Sequence, residues 1–363
     1  MLLNFIVWNV NPEILPIGPL SLRWYGLLFA SSFFFGYLLF QQFFKREKLP
    51  LELIDKILIY MAIGVIVGAR LGHVLFYDPI EYLKHPLDIL KIWEGGLASH
   101  GAAIGILISM YLFVRKYKKS YLWLFDRIVI AVALSGFFIR SGNLMNSEIY
   151  GVATNSSYGF IYTRDLTHEC KENKLIKQVR FIKTNNDTLV DGKYVHLTMN
   201  VAFINGKDES QLKNSISEIF NILTYTPRRD DFNVFYPDNV TDKKVDLKFN
   251  SRGYYIASIP VLGIPKHPTQ VYEATAYLLI FLFLYLLYFK RNDQSPHGRI
   301  FSYFLILVFG ARFIIEFFKN DQSAFESGMI LNMGQLLSIP FVLAGIALYI
   351  YSNKSVKKQI NLK

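Results

Sequence analysis

Two arginines, Arg140 and Arg312, stand inside long apolar runs, each with hydrogen-bonding company at helical spacing. Asn143 lies three residues beyond Arg140 and Asn146 three beyond that, with Glu148 next; Glu316 lies four beyond Arg312. Residues three and four apart share a helix face. Arg140, Asn143 and Asn146 therefore point one way if the helix continues, and Arg312 and Glu316 are spaced for an intrahelical pair. A guanidinium fork matches phosphate oxygens, so two forks with several carboxamides make a site for an anionic oxygen. His100 adds an imidazole, whose ordinary pKa of about 6.5 lets it exchange protons near neutrality. Ionisable groups inside apolar spans are costly and are usually kept for function.

Each of these residues also has a plainer reading. Arg70 can snorkel to headgroups, His100 can be a satisfied core histidine, and Tyr25 can be a belt aromatic. Paired-histidine and carboxylate-rich ligand spacings are absent, so neither a metal nor another cofactor is expected. No serine elbow or phosphate-cradling glycine loop is present. The single cysteine, Cys170, cannot form an internal disulfide.

What can bring these groups together is set by the spans that carry them. Of 363 residues, 52% are hydrophobic and 18% charged. The apolar residues come in unbroken blocks of about 20, the length of a helix crossing a hydrocarbon core. Continuous blocks read as helices, because a bilayer admits only helices and closed barrels. Seven spans are expected: Leu20–Phe44, Lys56–Tyr77, Ala98–Val114, Leu124–Leu144, Thr269–Phe289, Ile300–Phe318 and Met329–Tyr351.

Basic clusters follow each odd span: Lys45-Arg46-Glu47-Lys48, Arg115 to Lys119, Lys290-Arg291, and Lys354 with Lys357-Lys358. All four fall on one side if the N-terminus is outside, and basic loops mark the cytoplasmic side. Spans two, four and six then end near the outer face, where span three begins. Arg70, His100, Arg140 and Arg312 share the outer half, with Tyr25 early in span one and His267 and Gln270 just ahead of span five. Polar side chains from several helices at one depth can converge on one pocket.

The net charge of +11 is not a nucleic-acid signature. Thr163–Tyr255 holds 15 basic and 13 acidic residues, so +9 of it lies on the spans and their short loops, as the positive-inside bias requires. Gly64, Gly68 and Gly72, with Gly101 and Gly105, have the spacing of closely packed membrane helices. The loop Asp78–Gly96, with Tyr82 and Trp93, fits an interfacial arm. The long outward loop predicts a module of its own. Val195, Leu197, Met199, Val201 and Phe203 alternate as a strand. Asp208 and Gln211 fit a capping box ahead of a helix striped with Leu212, Ile216, Ile219, Phe220 and Leu223. Nothing in the module resembles a catalytic motif.

The polar residues fall in stretches that resemble those of one family. Arg140-Ser141-Gly142-Asn143-Leu144-Met145-Asn146-Ser147-Glu148-Ile149-Tyr150-Gly151 is similar to the signature of the prolipoprotein diacylglyceryl transferases. So are Arg23-Trp24-Tyr25-Gly26, Gly95-Gly96 through Ser99-His100-Gly101, His267 to Glu273, Gly310 to Phe317, and Met333 to Pro340. The matches come in family order and cover the chain except Thr163–Tyr255. Ala102 and Ser147 depart from the pattern where it has glycine, as does Ser141 where it has an aliphatic residue. The usual Pro-Trp-Gly ending appears only as Ser157-Tyr158-Gly159.

The resemblance implies transfer of the sn-1,2-diacylglyceryl group of phosphatidylglycerol to the lipobox cysteine of a prolipoprotein. It implies His100 as base and Arg140 and Arg312 as holders of the phosphate charge. Tyr25, Asn143, Asn146, Glu148, Gly151, His267, Gln270 and Glu316 are expected to bind or position substrate.

The expected architecture is an all-α polytopic protein of the bacterial inner membrane. It has seven transmembrane helices and an outward head region carrying a small α+β insert. The N-terminus lies outside and the C-terminus in the cytoplasm. Residues 1–162 and 256–363 form the membrane domain and 163–255 the insert. The partners are phosphatidylglycerol, prolipoprotein signal peptides and membrane lipid, without nucleic acid. The competing reading is a transporter or lipid-binding protein that grips an anion with its arginines.

Overall fold

The apolar blocks are helices in the computed structural model, which describes residues 5–17, 20–91, 95–184, 189–204, 209–225, 232–237, 244–249, 253–290, 296–320 and 328–360. Trp93, Asp208 and Arg291, singled out above, lie outside the described residues. The helices are α1 (Trp24–Arg46), α2 (Glu52–Phe76), α3 (Pro79–Lys84), α4 (Ser99–Lys116), α5 (Tyr121–Met145), α6 (Arg164–Glu172), α7 (Glu209–Thr224), α8 (Thr269–Lys290), α9 (Arg299–Ile315) and α10 (Met333–Ile360). Six of them, α1, α2, α5, α8, α9 and α10, are long and apolar enough to cross a membrane. The 18-residue α4 falls outside that set, because His100 in its first turn and Arg115 and Lys116 at its end make it less apolar.

Two compact units divide the chain. One comprises Ala30–Gly136, Ala276–Gly310 and Leu337–Lys363. In it α2 and α4 meet through the expected glycines. A Cβ built at Gly105 would lie 2.1 Å from Gly64 O, and one at Gly68 would lie 2.4 Å from Gly101 O. Backbone touches backbone, so no side chain can yield. Overpacking of this kind costs about 1–3 kcal/mol. Gly105→Ala is expected to lower the melting midpoint in detergent, and Gly105→Val to lower it further. Gly26→Ala, where nothing lies within 4 Å of the added atom, is the control. An unchanged midpoint in Gly105→Val would show that the helices part without loss.

In the same unit Arg70 is buried, and its role is corrected. Its guanidinium donates to the carbonyl oxygens of Ile89 (2.8 Å), Gly95 (2.7 Å), Gly96 (3.2 Å) and Asp88. It is a strut for the loop ahead of α4, not a headgroup anchor. The same unit holds an ionic cluster around Arg127 that the sequence pattern does not announce. Arg127 Nε donates to Glu47 Oε1 (2.8 Å), and Trp123 Nε1 donates to Glu47 Oε2 (2.9 Å). The neighbouring Asp126 accepts from the amides of Gly298 (2.7 Å) and Phe301 (2.8 Å). A carboxylate there offsets the positive end of α9.

The other unit comprises Met1–Phe29, Phe137–Thr275 and Ala311–Leu336. Strand β1 (Phe5–Trp8) pairs in parallel with β4 (Gly159–Tyr162), and β2 (Glu13–Ile17) forms a hairpin with β3 (Leu20–Arg23). A larger sheet runs β5 (Ile176–Lys183), β6 (Val195–Phe203), β9 (Tyr255–Gly263), β7 (Val234–Phe235), with β8 (Asp246–Phe249) also on β9. The alternation along Val195–Phe203 buries every second residue. Leu166 and Cys170 of α6 and Leu212, Ile219, Phe220 and Leu223 of α7 share one core with that face. Phe5 and Ile161 belong to the same core. Cys170 is 1% exposed, and burial pushes its thiol up to about 12.

Candidate active site

Helix α5 continues through Arg140 and Asn143, as their spacing requires. Arg140 Nη1 donates to Asn143 Oδ1 (3.3 Å). Asn143 Nδ2 and Asn146 Nδ2 both donate to Glu148 Oε1, at 2.9 and 3.1 Å. The two amides expected to face substrate both grip Glu148, whose carboxylate is exposed.

Behind Arg140 runs a ladder of alternating charge. Arg140 Nε lies 2.9 Å from Glu273 Oε2, Lys319 Nζ 2.9 Å from Glu273 Oε1, and the same Nζ 3.1 Å from Glu316 Oε2. The first and last are ion pairs by distance whose angles fall outside hydrogen-bond geometry. Glu273 is 0% exposed and Lys319 6%. Buried charges persist only when paired, and here each rung supplies the next one's counter-charge. Arg140 thus faces Glu273 with its Nε and Asn143 with its Nη1.

The Arg312–Glu316 pair expected from spacing is corrected. The α-helix stops at Ile315 and Glu316 opens a 3-10 turn, so the carboxylate reaches Lys319 instead. Asn332 and Gln335 form a reciprocal capping box on α10: each side-chain oxygen accepts the other's backbone N–H, at 2.9 and 3.0 Å. Gly334 sits where a Cβ would lie 2.1 Å from Glu316 Oε1. Arg312 Nε is buried and has no hydrogen-bond partner among the described residues. Orphan donors of this kind are rare in native proteins and call for an explanation, such as a ligand.

The remaining expected site residues divide by what they touch. Gly151 does permit close backbone approach, but by this chain: its N–H donates to His267 O (2.8 Å), and a Cβ there would lie 2.1 Å from Phe318 O. Gln270 is 0% exposed; its Nε2 donates to Glu148 O (2.6 Å) and its Oε1 accepts from Tyr162 (3.0 Å). Gly151 and Gln270 thus act on the loop that carries Glu148.

His267 Nδ1 lies 3.1 Å from Tyr272 Oη, and burial lowers its pKa, which keeps the ring neutral near pH 7. Tyr25 packs on Gly142, where a Cβ would meet its Cδ2 at 2.8 Å. His100 belongs to the other unit, exposed on the first turn of α4, with the Phe76 and Tyr77 rings at 5.0 and 5.9 Å.

Glu273, part of the His267–Glu273 stretch, and Lys319 receive no role from the sequence reading. The signal was available: a carboxylate one turn into an apolar span demands a cation, and Lys319 stands three residues beyond Glu316.

Comparison with known proteins bears on what this ladder serves. A family model described as prolipoprotein diacylglyceryl transferase matches residues 12–351. A protein of Tolumonas auensis named phosphatidylglycerol–prolipoprotein diacylglyceryl transferase is 38% identical over 350 residues, covering 96% of this chain and 98% of the relative. Proteins of the same name from Porphyromonas gingivalis and Chloroherpeton thalassium are 34% and 32% identical, over 99% and 98% of this chain and 98% and 97% of their own.

Proposed function

This chain belongs to the prolipoprotein diacylglyceryl transferase family, and on that premise we propose how its residues carry out the transfer. It is a bacterial multi-pass membrane protein that moves the diacylglyceryl group of phosphatidylglycerol to the cysteine thiol of prolipoproteins. The thiolate sulfur attacks the glycerol methylene that bears the phosphate. The C–O bond to phosphate breaks as the S–C bond forms, and glycerol phosphate leaves with one more negative charge than the diester carried.

In this reading Arg140 and Arg312 hold that developing charge. The observation that carries this reading is the buried Nε of Arg312, which has no hydrogen-bond partner among the described residues; Arg140 Nε is paired by distance with Glu273. Prepositioned donors in a site of low dielectric stabilise charge as it forms without reorganising. A thiol with a pKa near 8.5 is mostly protonated at neutral pH, and His100 is the proposed acceptor of that proton. Asn143 and Asn146 act through Glu148, and Tyr25 buttresses α5 at Gly142.

The finer architecture is part of the proposal. Helix α4, packed on α2 through glycines, is the seventh span. The basic clusters after alternate spans support an N-terminus outside. Thr163–Tyr255 is an outward α+β insert in the head region, joined to the remainder through β9.

The test is incubation of the purified protein with phosphatidylglycerol and a lipobox peptide. A thioether-linked peptide and free glycerol phosphate are expected in equal amounts. A folded, lipid-bound protein that leaves the peptide unmodified is a carrier, and the transferase reading fails. His100→Gln should slow turnover, with the deficit shrinking as pH rises and the peptide thiol ionises unaided. A deficit constant with pH removes His100 from the role of base.

A further inference from the structure

We propose that the segment following Thr163 clamps the loop bearing Glu148, with Arg164 and Asn233 as positioning residues for the transfer. The inference rests on the reading of Glu148 as a substrate-facing group. Its starting point is strain. Ser147 and Ile149 have φ of 54° and 58°, a left-handed conformation that costs a non-glycine residue about 1–2 kcal/mol. Two such residues so close together persist only where the surroundings over-determine the backbone.

The holders can be named one by one. Trp8 Nε1 donates to Leu144 O (2.9 Å), Gln270 Nε2 to Glu148 O (2.6 Å) and Thr269 Oγ1 to Ile149 O (2.9 Å). The other two come from the segment after Thr163. Arg164, the first residue of α6, donates through Nη1 to Asn146 O. Asn233, 1% exposed, reaches Tyr150 Oη with its Nδ2 (3.3 Å) and Tyr162 O (3.4 Å). The Tyr150 and Tyr162 rings stack with centroids 4.6 Å apart, and Tyr162 donates to Gln270, which holds Glu148 from behind. The segment also walls the site directly: Asp165 lines a cavity of about 400 Å³ with Ser147, Glu148, Tyr150 and Lys319.

The amide of Asn146 that binds the Glu148 carboxylate and the carbonyl that Arg164 holds belong to one residue. Loss of Arg164 therefore lets Asn146 and Glu148 drift together. A displacement of about 1 Å in such a site can cost on the order of 100-fold in rate. The segment has no catalytic group of its own in this scheme; it holds a strained loop in register.

The experiment uses the full-length protein with Arg164→Gln, Arg164→Lys and Asn233→Gly, and Glu148→Gln alongside. Asn233 has φ of 56°, so glycine keeps its backbone conformation while deleting the amide. We expect Arg164→Gln and Asn233→Gly each to lower kcat about 10-fold with KM for phosphatidylglycerol within twofold and an unchanged melting midpoint, and Arg164→Lys to recover to within about threefold. Wild-type turnover in both loss variants, with Glu148→Gln inactive, overturns the clamp while leaving the site intact. Wild-type turnover in Glu148→Gln removes the group being positioned and overturns both readings. A loss of rate that merely follows a loss of folded protein makes the contacts structural and overturns the proposal.

Discussion

Arg312→Ala is expected to abolish thioether formation while the protein still inserts and melts normally. Arg312 Nε is buried without a hydrogen-bond partner among the described residues, so removing the side chain breaks no hydrogen bond to them at that atom. What disappears is a donor to the departing phosphate. Loss of one such donor commonly costs on the order of 100- to 1,000-fold in kcat, or about 3–4 kcal/mol of transition-state stabilisation. Arg312→Lys should recover little, because an ammonium cannot present a planar fork to two oxygens. Arg140→Ala should match it in rate but melt lower, since it strips Glu273 of one of two cations. The measurement is single-turnover transfer to a lipobox peptide with melting followed in parallel. Turnover near wild type in Arg312→Ala would remove this residue from the phosphate role.

Lys319→Met should be the most damaging substitution for the fold. The lysine lies between Glu273 and Glu316, and all three are buried. Methionine fills the volume but leaves two carboxylates with one fewer cation between them. Removing one partner of a buried ion pair costs about 3–5 kcal/mol, a large share of a typical stability of about 5–15 kcal/mol. Little folded protein should be recovered in detergent. The triple variant Lys319→Met, Glu273→Gln, Glu316→Gln should regain most of the melting temperature, because hydrogen-bonding amides replace the stranded charges. It should still transfer slowly, since Arg140 has lost its fixed Nε partner. Normal yield of Lys319→Met alone would mean that the ladder is not held by charge.

These predictions draw unevenly on what the sequence made legible. Periodicity was sufficient where a regular element carried the information. Arg140 and Asn143 share a face because α5 runs straight through them, the glycines of α2 and α4 meet as spaced, and the alternation along Val195–Phe203 is a buried strand face. It was insufficient where an element ended. One helical turn more would have paired Arg312 with Glu316; the 3-10 turn hands that carboxylate to Lys319. Side-chain to backbone contacts leave no pattern at all. Arg70 on four carbonyl oxygens, Gln270 on Glu148 O and Arg164 on Asn146 O depend on loops whose path follows from tertiary packing. The same holds for the core that joins Phe5 and Ile161 to the residues beyond Thr163, which the 163–255 boundary treats as separate.

A protein that alkylates thiols carries one thiol of its own, buried in the core that holds Leu166, Leu212 and Phe220, where desolvation raises its pKa. Burial therefore disfavours the Cys170 thiolate, the form that reacts. Burial and a disfavoured thiolate together set this sulfur apart from the peptide thiol that the enzyme alkylates. The same inertness serves the experimenter. A thiol-counting dye added to a running reaction reports the peptide's disappearing sulfhydryl alone, so turnover can be followed continuously without engineering a cysteine-free protein.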